Sequence, residues 1–340
     1  MRNNMKLLIT GGAGFIGSNF IRYWLENYAN DQILNLDALT YAGNLASLAD
    51  IKQKYPDNYQ FIKGDIVDFN LVDKVVKKFK PEVIINFAAE THNSWAVINP
   101  TIFFSTNVLG TQALLEVVRK NKVTRFHHIS TCEVYGDLPL DSQEKFTEDS
   151  PFRPRTPYNA SKAGSDLVVR AYFETYQLPV TISNCSNNYG PYQFPEKLIP
   201  LFTTNLFDDL PVPVYKTSQN RREWLHVLDH CRAIDLILKK GKIGETYNVG
   251  SGVEKSIEEI TDFILNELNK PSSMKKYVQD RPGHDRRYLL DSAKIKRELG
   301  WEPKINFETG LRQTIEWYKN NRAWWQPLKE KVKLSEVDWA

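Results

Sequence analysis

The chain has 340 residues, of which 41% are hydrophobic and 25% charged, and this ordinary composition excludes a largely disordered protein. Its 44 basic and 41 acidic residues are spread along the sequence and give a net charge of +3, which excludes a whole-molecule field directed at nucleic acid or at a membrane surface. Three widely separated cysteines, Cys132, Cys185 and Cys231, show no paired spacing, so we expect neither a disulfide framework nor a metal site.

The N-terminus reaches a strand-like run at residues 7–10, with no charged-then-apolar leader before it. A run of about 18 apolar residues, the length of a membrane span, occurs nowhere in the chain. We therefore expect a cytoplasmic protein that is neither exported nor membrane-spanning, with neither nucleic acid nor membrane as a partner.

Short apolar, β-branched runs alternate with longer segments of helical period over the first half of the chain, a pattern typical of βαβ units around a parallel sheet. The predicted strands are 7–10, 33–36, 60–63, 83–87, 126–129 and 180–183. The predicted helices between them are 15–28, 71–79, 103–120 and 157–176. We therefore expect an α/β protein with a doubly wound, Rossmann-type parallel sheet and helices on both faces.

The regular alternation ends near Asn184, where a Pro- and Tyr-rich segment, 189–195, follows. The later predicted elements are helix 228–239, strand 246–249, helix 257–268, strand 275–278 and helix 307–320. We assign residues 1–184 and about 225–250 to the sheet domain, residues 185–224 and 251–328 to a smaller C-terminal α/β lobe, and residues 329–340 to a tail.

A glycine-rich loop follows the first predicted strand and leads into the first predicted helix. It contains Gly11, Gly14, Phe15, Ile16 and Gly17. Glycines let the backbone turn tightly against a pyrophosphate, and the helix N-terminus offers free amides and the positive end of its dipole. The loop predicts a dinucleotide site, against the alternative of a glycine-rich turn without a ligand.

An acidic residue at the end of the second predicted strand supports the dinucleotide site. Asp37 follows Gly17 by 20 residues, where a carboxylate can accept hydrogen bonds from the adenosine ribose and repels a 2′-phosphate. This favours NAD over NADP, with a strand-end turn as the structural alternative. Asp65 and Ile66, after the third predicted strand, can similarly flank the adenine.

A tyrosine and a lysine stand four residues apart in the fourth predicted helix, at Tyr158 and Lys162. That spacing places both side chains on one helix face. A nearby ammonium and a cationic nicotinamide ring favour the phenolate, so Tyr158 can remove a hydroxyl proton while hydride leaves the same carbon. Such pairs are common on surface helices, but Ser130 and Thr131 lie at a strand end, where parallel sheets bind ligands.

These motifs resemble the extended short-chain dehydrogenase/reductases, and most of all the dTDP-glucose 4,6-dehydratases. The resemblance covers nearly the whole chain, with the longest matching stretches at 10–19, 37–44, 87–90, 186–200 and 280–288. It implies that the smaller lobe binds a sugar nucleotide. It also implies that Ala88, Tyr158 and Lys162 contact NAD together with the residues named above.

The resemblance also implies a reaction. In that family C4 of the hexose is oxidised, water is eliminated across C5 and C6, and the hydride returns to C6, so that NAD is regenerated. Thr131 and Tyr158 would handle the C4 hydroxyl, and Lys162 would hold the nicotinamide ribose and tune Tyr158. Glu133 would remove the C5 proton. The acid for the departing C6 hydroxyl is an aspartate in the family, and Cys132 stands at its position.

The thiol of Cys132 leaves two alternatives. With an ordinary pKa of about 8.5 it stays protonated at neutral pH and can donate a proton, although it is a weaker acid than a carboxylic acid. Otherwise it fills space, and another acid or water serves the leaving group. The family also reads Ser-His-Val-Asp-Arg-Ser in place of residues 91–96, arginine in place of Asn184, and Gly-Asp-Gly in place of 216–218. These departures around a retained Tyr158 and Glu133 favour an altered substrate or product.

A nucleoside diphosphate needs polar or cationic donors that converge from several segments. The candidate substrate-binding residues, taken from the resemblance, are Thr91, His92, Asn187, Lys197, Asn220, Arg222, Arg281 and His284. The run 220–225 contains a tryptophan next to charged side chains, and it could form either the wall of a pocket or the edge of the core.

Three interpretations remain. The one we favour is an NAD-dependent nucleoside-diphosphate-hexose 4,6-dehydratase-like lyase of deoxysugar biosynthesis, acting on a dTDP- or UDP-hexose. The second returns hydride to C4 instead, as a 5,6-dehydratase that forms a 5,6-unsaturated sugar or as a 4-epimerase. The third is a non-catalytic NAD-binding sensor. The resemblance further implies a homodimer, in which helices 103–120 and 157–176 pack as a four-helix bundle.

Overall fold

The computed structural model describes residues 4–280 and 282–331. The strands are β1 (Lys6–Thr10), β2 (Gln32–Asp37), β3 (Tyr59–Lys63), β4 (Val83–Asn86), β5 (Arg125–Thr131), β6 (Val180–Cys185), β7 (Asn187–Tyr189), β8 (Val212–Tyr215), β9 (Arg221–His226), β10 (Thr246–Val249), β11 (Glu254–Ser256) and β12 (Lys275–Val278). The α-helices are α1 (Phe15–Asn27), α2 (Ala49–Lys54), α3 (Phe69–Phe79), α4 (Asn93–Ile98), α5 (Pro100–Phe103), α6 (Thr111–Asn121), α7 (Pro157–Tyr176), α8 (Leu198–Phe207), α9 (Val227–Lys240), α10 (Ile257–Glu267), α11 (Ala293–Leu299), α12 (Phe307–Asn320) and α13 (Arg322–Lys329).

Seven parallel strands form the main sheet, in the order β10-β6-β5-β4-β1-β2-β3. Successive side chains of a strand point to opposite faces, and in β1 Leu8 joins one core cluster while Leu7 and Ile9 join the other. Both faces are therefore buried, which explains why the strands read as continuous apolar runs. The predicted doubly wound α/β fold is confirmed. The strand order reverses between β1 and β4, the place where such sheets bind ligands.

Two predicted elements differ from those observed by more than two residues. The strand predicted at 126–129 extends over Arg125–Thr131, because its last residues pair with β6 as far as Thr131 opposite Cys185. The helix predicted at 103–120 begins at Pro100 and contains a π-helical stretch, Phe104–Gly110. That stretch ends where a Cβ on Gly110 would lie 2.7 Å from the Ile66 side chain, so the helix approaches the loop after β3 closely.

The smaller lobe contains a three-stranded sheet, β11-β9-β7, and the parallel pair β12-β8. Helices α8, α10 and α12 pack with them around a core that includes Phe202, Trp224, Ile260 and Leu311. The predicted helix 257–268, strand 275–278 and helix 307–320 are all present. Residue 329, where the predicted tail starts, is the last residue of α13; residues 332–340 of that tail lie outside the described residues.

One described helical stretch, Pro100–Asn121, has the length and apolar composition to cross a membrane. Half of its apolar window is buried, and α6 packs against α3 and α7. A core helix meets the same criteria, and this packing is that of a core helix.

Candidate active site

A cleft opens at the carboxyl ends of the main-sheet strands and extends to the smaller lobe. The predicted site residues that line it are Gly11, Gly14, Phe15, Ile16, Gly17, Asp37, Asp65, Ile66, Ala88, Thr91, Thr131, Glu133, Tyr158, Lys162, Asn187 and Lys197. The cofactor candidates and four candidate catalytic residues therefore face one space, at the sheet edge where parallel strands bind ligands.

Other predicted residues do not line this cleft. They are His92, Cys132, Asn220, Arg222 and His284. Arg281 lies outside the described residues. Several side chains that were not among the predicted site residues also line it, namely Glu90, Cys185, Ser186, Glu196 and Trp224.

The glycine loop packs closely against neighbouring backbone and leaves the start of helix α1 facing the cleft. Gly11 has a φ of +68°, and a Cβ there would lie 2.5 Å from the Ala88 nitrogen. A Cβ on Gly17 would lie 2.4 Å from the carbonyl oxygen of Gly11. Helix α1 starts directly after Gly14, which provides no side-chain cap, so the first amides of the helix remain available to an anion. These features fit the pyrophosphate of a dinucleotide.

Asp37 fixes this loop as well as facing the cleft. Its Oδ2 accepts a hydrogen bond from the Ala13 amide at 2.9 Å, and its Oδ1 accepts one from the Leu39 amide at 2.8 Å. Burial raises the pKa of the carboxyl, while these two amides oppose the rise. A carboxylate at the end of β2 therefore stands where the resemblance places the adenosine ribose, and its remaining lone pairs can accept ribose hydroxyls.

Tyr158 and Lys162 are positioned by the start of α7. The Thr156 side chain caps the helix by accepting a hydrogen bond from the Asn159 amide at 3.2 Å, and Pro157 occupies the first turn. Burial raises the pKa of Tyr158, Glu133 adds to the rise, and a hydrogen bond with Thr131 opposes it. Thr131 and Tyr158 thus meet in the cleft, as the resemblance implied.

The ammonium of Lys162 is buried and bonded to strand β5. Nζ donates to the Ile129 carbonyl oxygen at 2.8 Å and lies 3.4 Å from His128 Nε2. Burial lowers the pKa of this lysine, and the negative charge of Asp166 opposes the change. The lysine is therefore anchored on β5 and α7 while its side chain still lines the cleft.

A buried acid that the sequence did not single out lies behind β5. Asp166 Oδ2 accepts hydrogen bonds from Ser130 Oγ at 2.8 Å and from Asn184 Nδ2 at 3.1 Å. Burial raises its pKa to about 6, against the opposing effect of Lys162. The only sequence signal was the Ser-Asp pair one turn after Lys162 on α7. Asn184, where the resembled family has arginine, thus supplies a neutral donor to this carboxyl.

Glu133 faces the cleft and is held by Asn93, one of the positions at which this chain differs from the resembled family. Asn93 Nδ2 donates to Glu133 Oε2 at 2.9 Å, and Thr156 Oγ1 donates to Asn93 Oδ1 at 2.6 Å. The contact joins residues 40 positions apart, so no local pattern could have revealed it.

Cys132 is fully buried in an apolar cluster with Val134, Tyr135, Tyr288 and Leu290. It lies in a 3₁₀ turn, Cys132–Tyr135, in which consecutive side chains project about 120° apart. Glu133 therefore turns into the cleft while Cys132 turns into the core. Burial raises the pKa of the thiol well above its ordinary value. This placement goes against the expected role as acid and favours the space-filling alternative.

At the nucleotide end, Lys197 enters the cleft and Arg222 does not. Lys197 Nζ donates to the Thr91 carbonyl oxygen at 3.1 Å. The Arg222 guanidinium is buried, donates to the Asp285 carbonyl oxygen at 2.7 Å and stacks 4.6 Å from the Tyr288 ring centre. In the run 220–225, Trp224 therefore contributes to the pocket wall, whereas Arg222 belongs to the core edge.

Two of the remaining candidates pair with each other. Asn220 Nδ2 lies 3.3 Å from His284 Nδ1, which is also 3.1 Å from Asp280 Oδ1. His92 Nδ1 accepts a hydrogen bond from the Trp95 amide at 3.3 Å and thereby caps α4. These three side chains do not line the cleft.

The chain is similar to known proteins over nearly its whole length. Residues 8–314 match the family model described as GDP-mannose 4,6 dehydratase. A curated dTDP-glucose 4,6-dehydratase from Streptomyces niveus is 49% identical over 329 residues, 96% of each chain. A solved dTDP-glucose 4,6-dehydratase from Streptomyces venezuelae, with NAD bound, is 48% identical with a TM-score of 0.91 over 95% of this chain and 100% of that one. A solved UDP-glucose 4-epimerase from Thermotoga maritima is 27% identical, with a TM-score of 0.86 over 94% of this chain and 100% of that one.

Proposed function

The chain belongs to the family described as GDP-mannose 4,6 dehydratase, within the extended short-chain dehydrogenase/reductases, and we propose that it removes water from a dTDP- or UDP-hexose by 4,6-dehydration. It is an NAD-dependent sugar-nucleotide dehydratase, a lyase in its overall reaction. The observation that carries the proposal is the single cleft in which the glycine loop, Tyr158 and Glu133 face the same space.

NAD fits the residues present. The glycine loop with the N-terminus of α1 would hold its pyrophosphate, Asp37 its adenosine ribose, and Lys162 its nicotinamide ribose. When bound, NAD supplies reversible storage of one hydride, taken from C4 of the sugar and returned at C6. We assign its binding to residues 1–184 with about 225–250, and sugar-nucleotide binding to 185–224 and 251–328.

Each side chain has a proposed task. Tyr158 accepts the proton of the C4 hydroxyl, and the hydrogen bond from Thr131 favours the phenolate that does so. The charge of Lys162 stabilises the same phenolate. The ketone formed at C4 acidifies the C5 proton, which Glu133 removes as the C5–H bond breaks. These roles come from the resemblance, and the positions of the residues in the cleft support them.

Cys132 lies outside the cleft. We therefore propose that the proton which Glu133 takes from C5 is the proton that Glu133 then donates to the C6 hydroxyl. The C6–O bond breaks as the C5–C6 double bond forms, and this proton leaves with the hydroxyl as water. The proton held by Tyr158 then balances the one that C5 regains at the end of the cycle. The same glutamate would thus serve as base and acid.

A second outcome of the same chemistry returns hydride to C4, as a 5,6-dehydratase or a 4-epimerase. An epimerase needs no base at C5, and a base is what Glu133 offers. The identity of 49% to a curated 4,6-dehydratase against 27% to a solved 4-epimerase points the same way. A non-catalytic NAD sensor is disfavoured because Tyr158, Lys162 and Glu133 all reach the cleft.

We propose a cytoplasmic homodimer formed through the helices around Pro100–Asn121 and α7. Apolar side chains on these helices remain exposed, with Ile102, Leu109 and Leu167 exposed by 44%, 60% and 57%. A second copy of the same surface would cover them. The free, buried state of Cys132, Cys185 and Cys231 suits a reducing compartment.

The test is product analysis with dTDP-glucose and UDP-glucose in deuterated water, by NMR and mass spectrometry. We expect a 4-keto-6-deoxy sugar that has lost water and gained deuterium at C5. A 5,6-alkene, or an epimer of unchanged mass, would support the second outcome instead. Absence of turnover with every sugar nucleotide tried would count against both. Tyr158→Phe serves as the inactive control.

A further inference from the structure

We infer that Asn93 is a positioning residue that holds the Glu133 carboxylate directed into the cleft; the inference rests on the proposed function, in which Glu133 removes the C5 proton. The contacts are direct. Asn93 Nδ2 donates to Glu133 Oε2 at 2.9 Å, while Asn93 Oδ1 accepts from Thr156 Oγ1 at 2.6 Å. The opposite amide orientation would set Oδ1 against a carboxylate oxygen, so the two neighbours fix which end of the amide faces Glu133.

The partner behind Asn93 is itself fixed. Thr156 Oγ1 accepts a hydrogen bond from the Asn159 amide and caps α7, so its own hydroxyl proton is directed to Asn93. Tyr158 lies two residues further along the same helix. A continuous series of hydrogen bonds therefore runs from the start of α7 through Asn93 to Glu133, and it sets the base relative to the tyrosine.

The surroundings leave this donor without a substitute. The titratable groups that couple electrostatically with Glu133 are Cys132 beside it, Tyr158 on α7, Cys185 on β6 and Tyr288 from the segment before α11. All four are neutral when protonated. Among the described residues, Asn93 provides the side-chain hydrogen bond to the Glu133 carboxylate. This hydrogen bond fixes the orientation of the carboxylate.

The hydrogen bond also selects the reactive oxygen. Oε2 is engaged by Asn93, which leaves Oε1 for the substrate. In the step concerned the C5–H bond breaks, an O–H bond forms on Glu133, and the electron pair passes into the enolate of the C4 ketone. Asn93 neither gains nor loses a proton and acts only through Glu133.

Two substitutions separate this role from a structural one. Asn93→Val removes both hydrogen bonds and introduces the aliphatic residue that the resembled family has at this position. Asn93→Asp keeps the acceptor for Thr156 but replaces the donor to Glu133 by a second carboxylate, which repels it. Asn99→Val, an exposed position at the end of the same short helix, is the matched control.

The holoenzyme is given dTDP-glucose, with and without deuterium at C5, and C4 oxidation is followed as transient NADH absorbance in a single turnover. For Asn93→Val we expect product formation to slow about 10-fold or more, with KM and the NADH rise unchanged and a larger isotope effect from C5 deuterium. Asn93→Asp should behave the same way or more severely at neutral pH. Thermal unfolding and NAD binding of both variants should match those of Asn99→Val.

The inference is overturned if Asn93→Val forms product at the wild-type rate with an unchanged isotope effect, or if C4 oxidation and product formation fall together. Either result would show that Asn93 does not act at the C5 step. Wild-type enzyme that turns over no sugar nucleotide would instead defeat the proposed function. The two failures are thereby distinguishable.

Discussion

Lys162 donates a hydrogen bond from Nζ to the carbonyl oxygen of Ile129 at 2.8 Å, and this contact anchors a buried ammonium on the strand that ends in Thr131. Burial lowers the pKa of Lys162, so its positive charge is present at low pH and is lost as pH rises, earlier than for an exposed lysine. The charge is what favours the Tyr158 phenolate in the proposed oxidation.

From this we expect the wild-type rate of C4 oxidation to fall on the alkaline side as Lys162 loses its proton. Lys162→Met should oxidise C4 slowly and without that alkaline fall, whereas Tyr158→Phe should lose about 100-fold or more at every pH. The measurement is transient NADH formation in a single turnover across the pH range, with NAD binding checked separately. An alkaline fall that persists in Lys162→Met would remove the lysine from this role.

Asp166 gives a prediction about stability. Burial raises its pKa to about 6 in the folded chain from an ordinary 3.8. A raised pKa means that the carboxyl favours folding at low pH and that this contribution is lost as pH rises from about 4 through about 6. We therefore expect Asp166→Asn to gain about 1 to 2 kcal/mol relative to wild type between pH 5 and pH 7.5.

Urea unfolding at the two pH values tests this, with the exposed Asp57→Asn as control. A stability difference between Asp166→Asn and wild type that does not change with pH would show that the carboxyl titrates normally. Loss of the negative charge should also lower the pKa of Lys162 further, because Asp166 now opposes the effect of burial. The alkaline fall in C4 oxidation should then begin at lower pH in this variant.

Substitution of Cys132 distinguishes a thiol that acts as the acid from a thiol that only fills space in the core. Because the side chain is fully buried and does not line the cleft, we expect Cys132→Ser to form the 4-keto-6-deoxy product within about 3-fold of the wild-type rate, far from the 100-fold or more of a lost acid. Cys231→Ser, at another fully buried cysteine, controls for the cost of a hydroxyl in the core. A loss of about 100-fold confined to Cys132→Ser would restore the thiol as the acid.

Leu109 and Leu167 test the homodimer. They are 60% and 57% exposed on segments that pack against each other, the π-helical stretch and α7. Replacing either leucine by lysine should weaken self-association about 10-fold or more, because each buried leucine contributes about 1.5–3 kcal/mol. Analytical ultracentrifugation gives the dissociation constants. Leu210→Lys, exposed by 47% away from these helices, is the control, and an equal effect there would disfavour this interface.

Local spacing was sufficient for the sheet and for the cofactor end of the site. Gly11 lies in the turn after β1, Gly17 in the first turn of α1, and Asp37 at the end of β2. Parallel pairing of β1 with β2 brings these positions to the same edge of the sheet. Tyr158 and Lys162 share a helix face, so their relation follows from helical geometry alone. The family resemblance added Thr131 and Glu133 to this set, and the folded chain places both in the same cleft.

Several side-chain contacts at and behind the cleft depend instead on segments far apart in the chain. Asn93 reaches Glu133 across 40 positions and Thr156 across 63, and Asp166 meets Ser130 across 36. Adjacent residues can also point in different directions. In the 3₁₀ turn that follows β5, Glu133 points into the cleft and Cys132 into the core. Side-chain direction in such a turn depends on what packs around it, and here that is Tyr288 and Leu290, more than 150 residues further along the chain. Only the tertiary packing could therefore decide that Glu133 faces the cleft and that Cys132 does not.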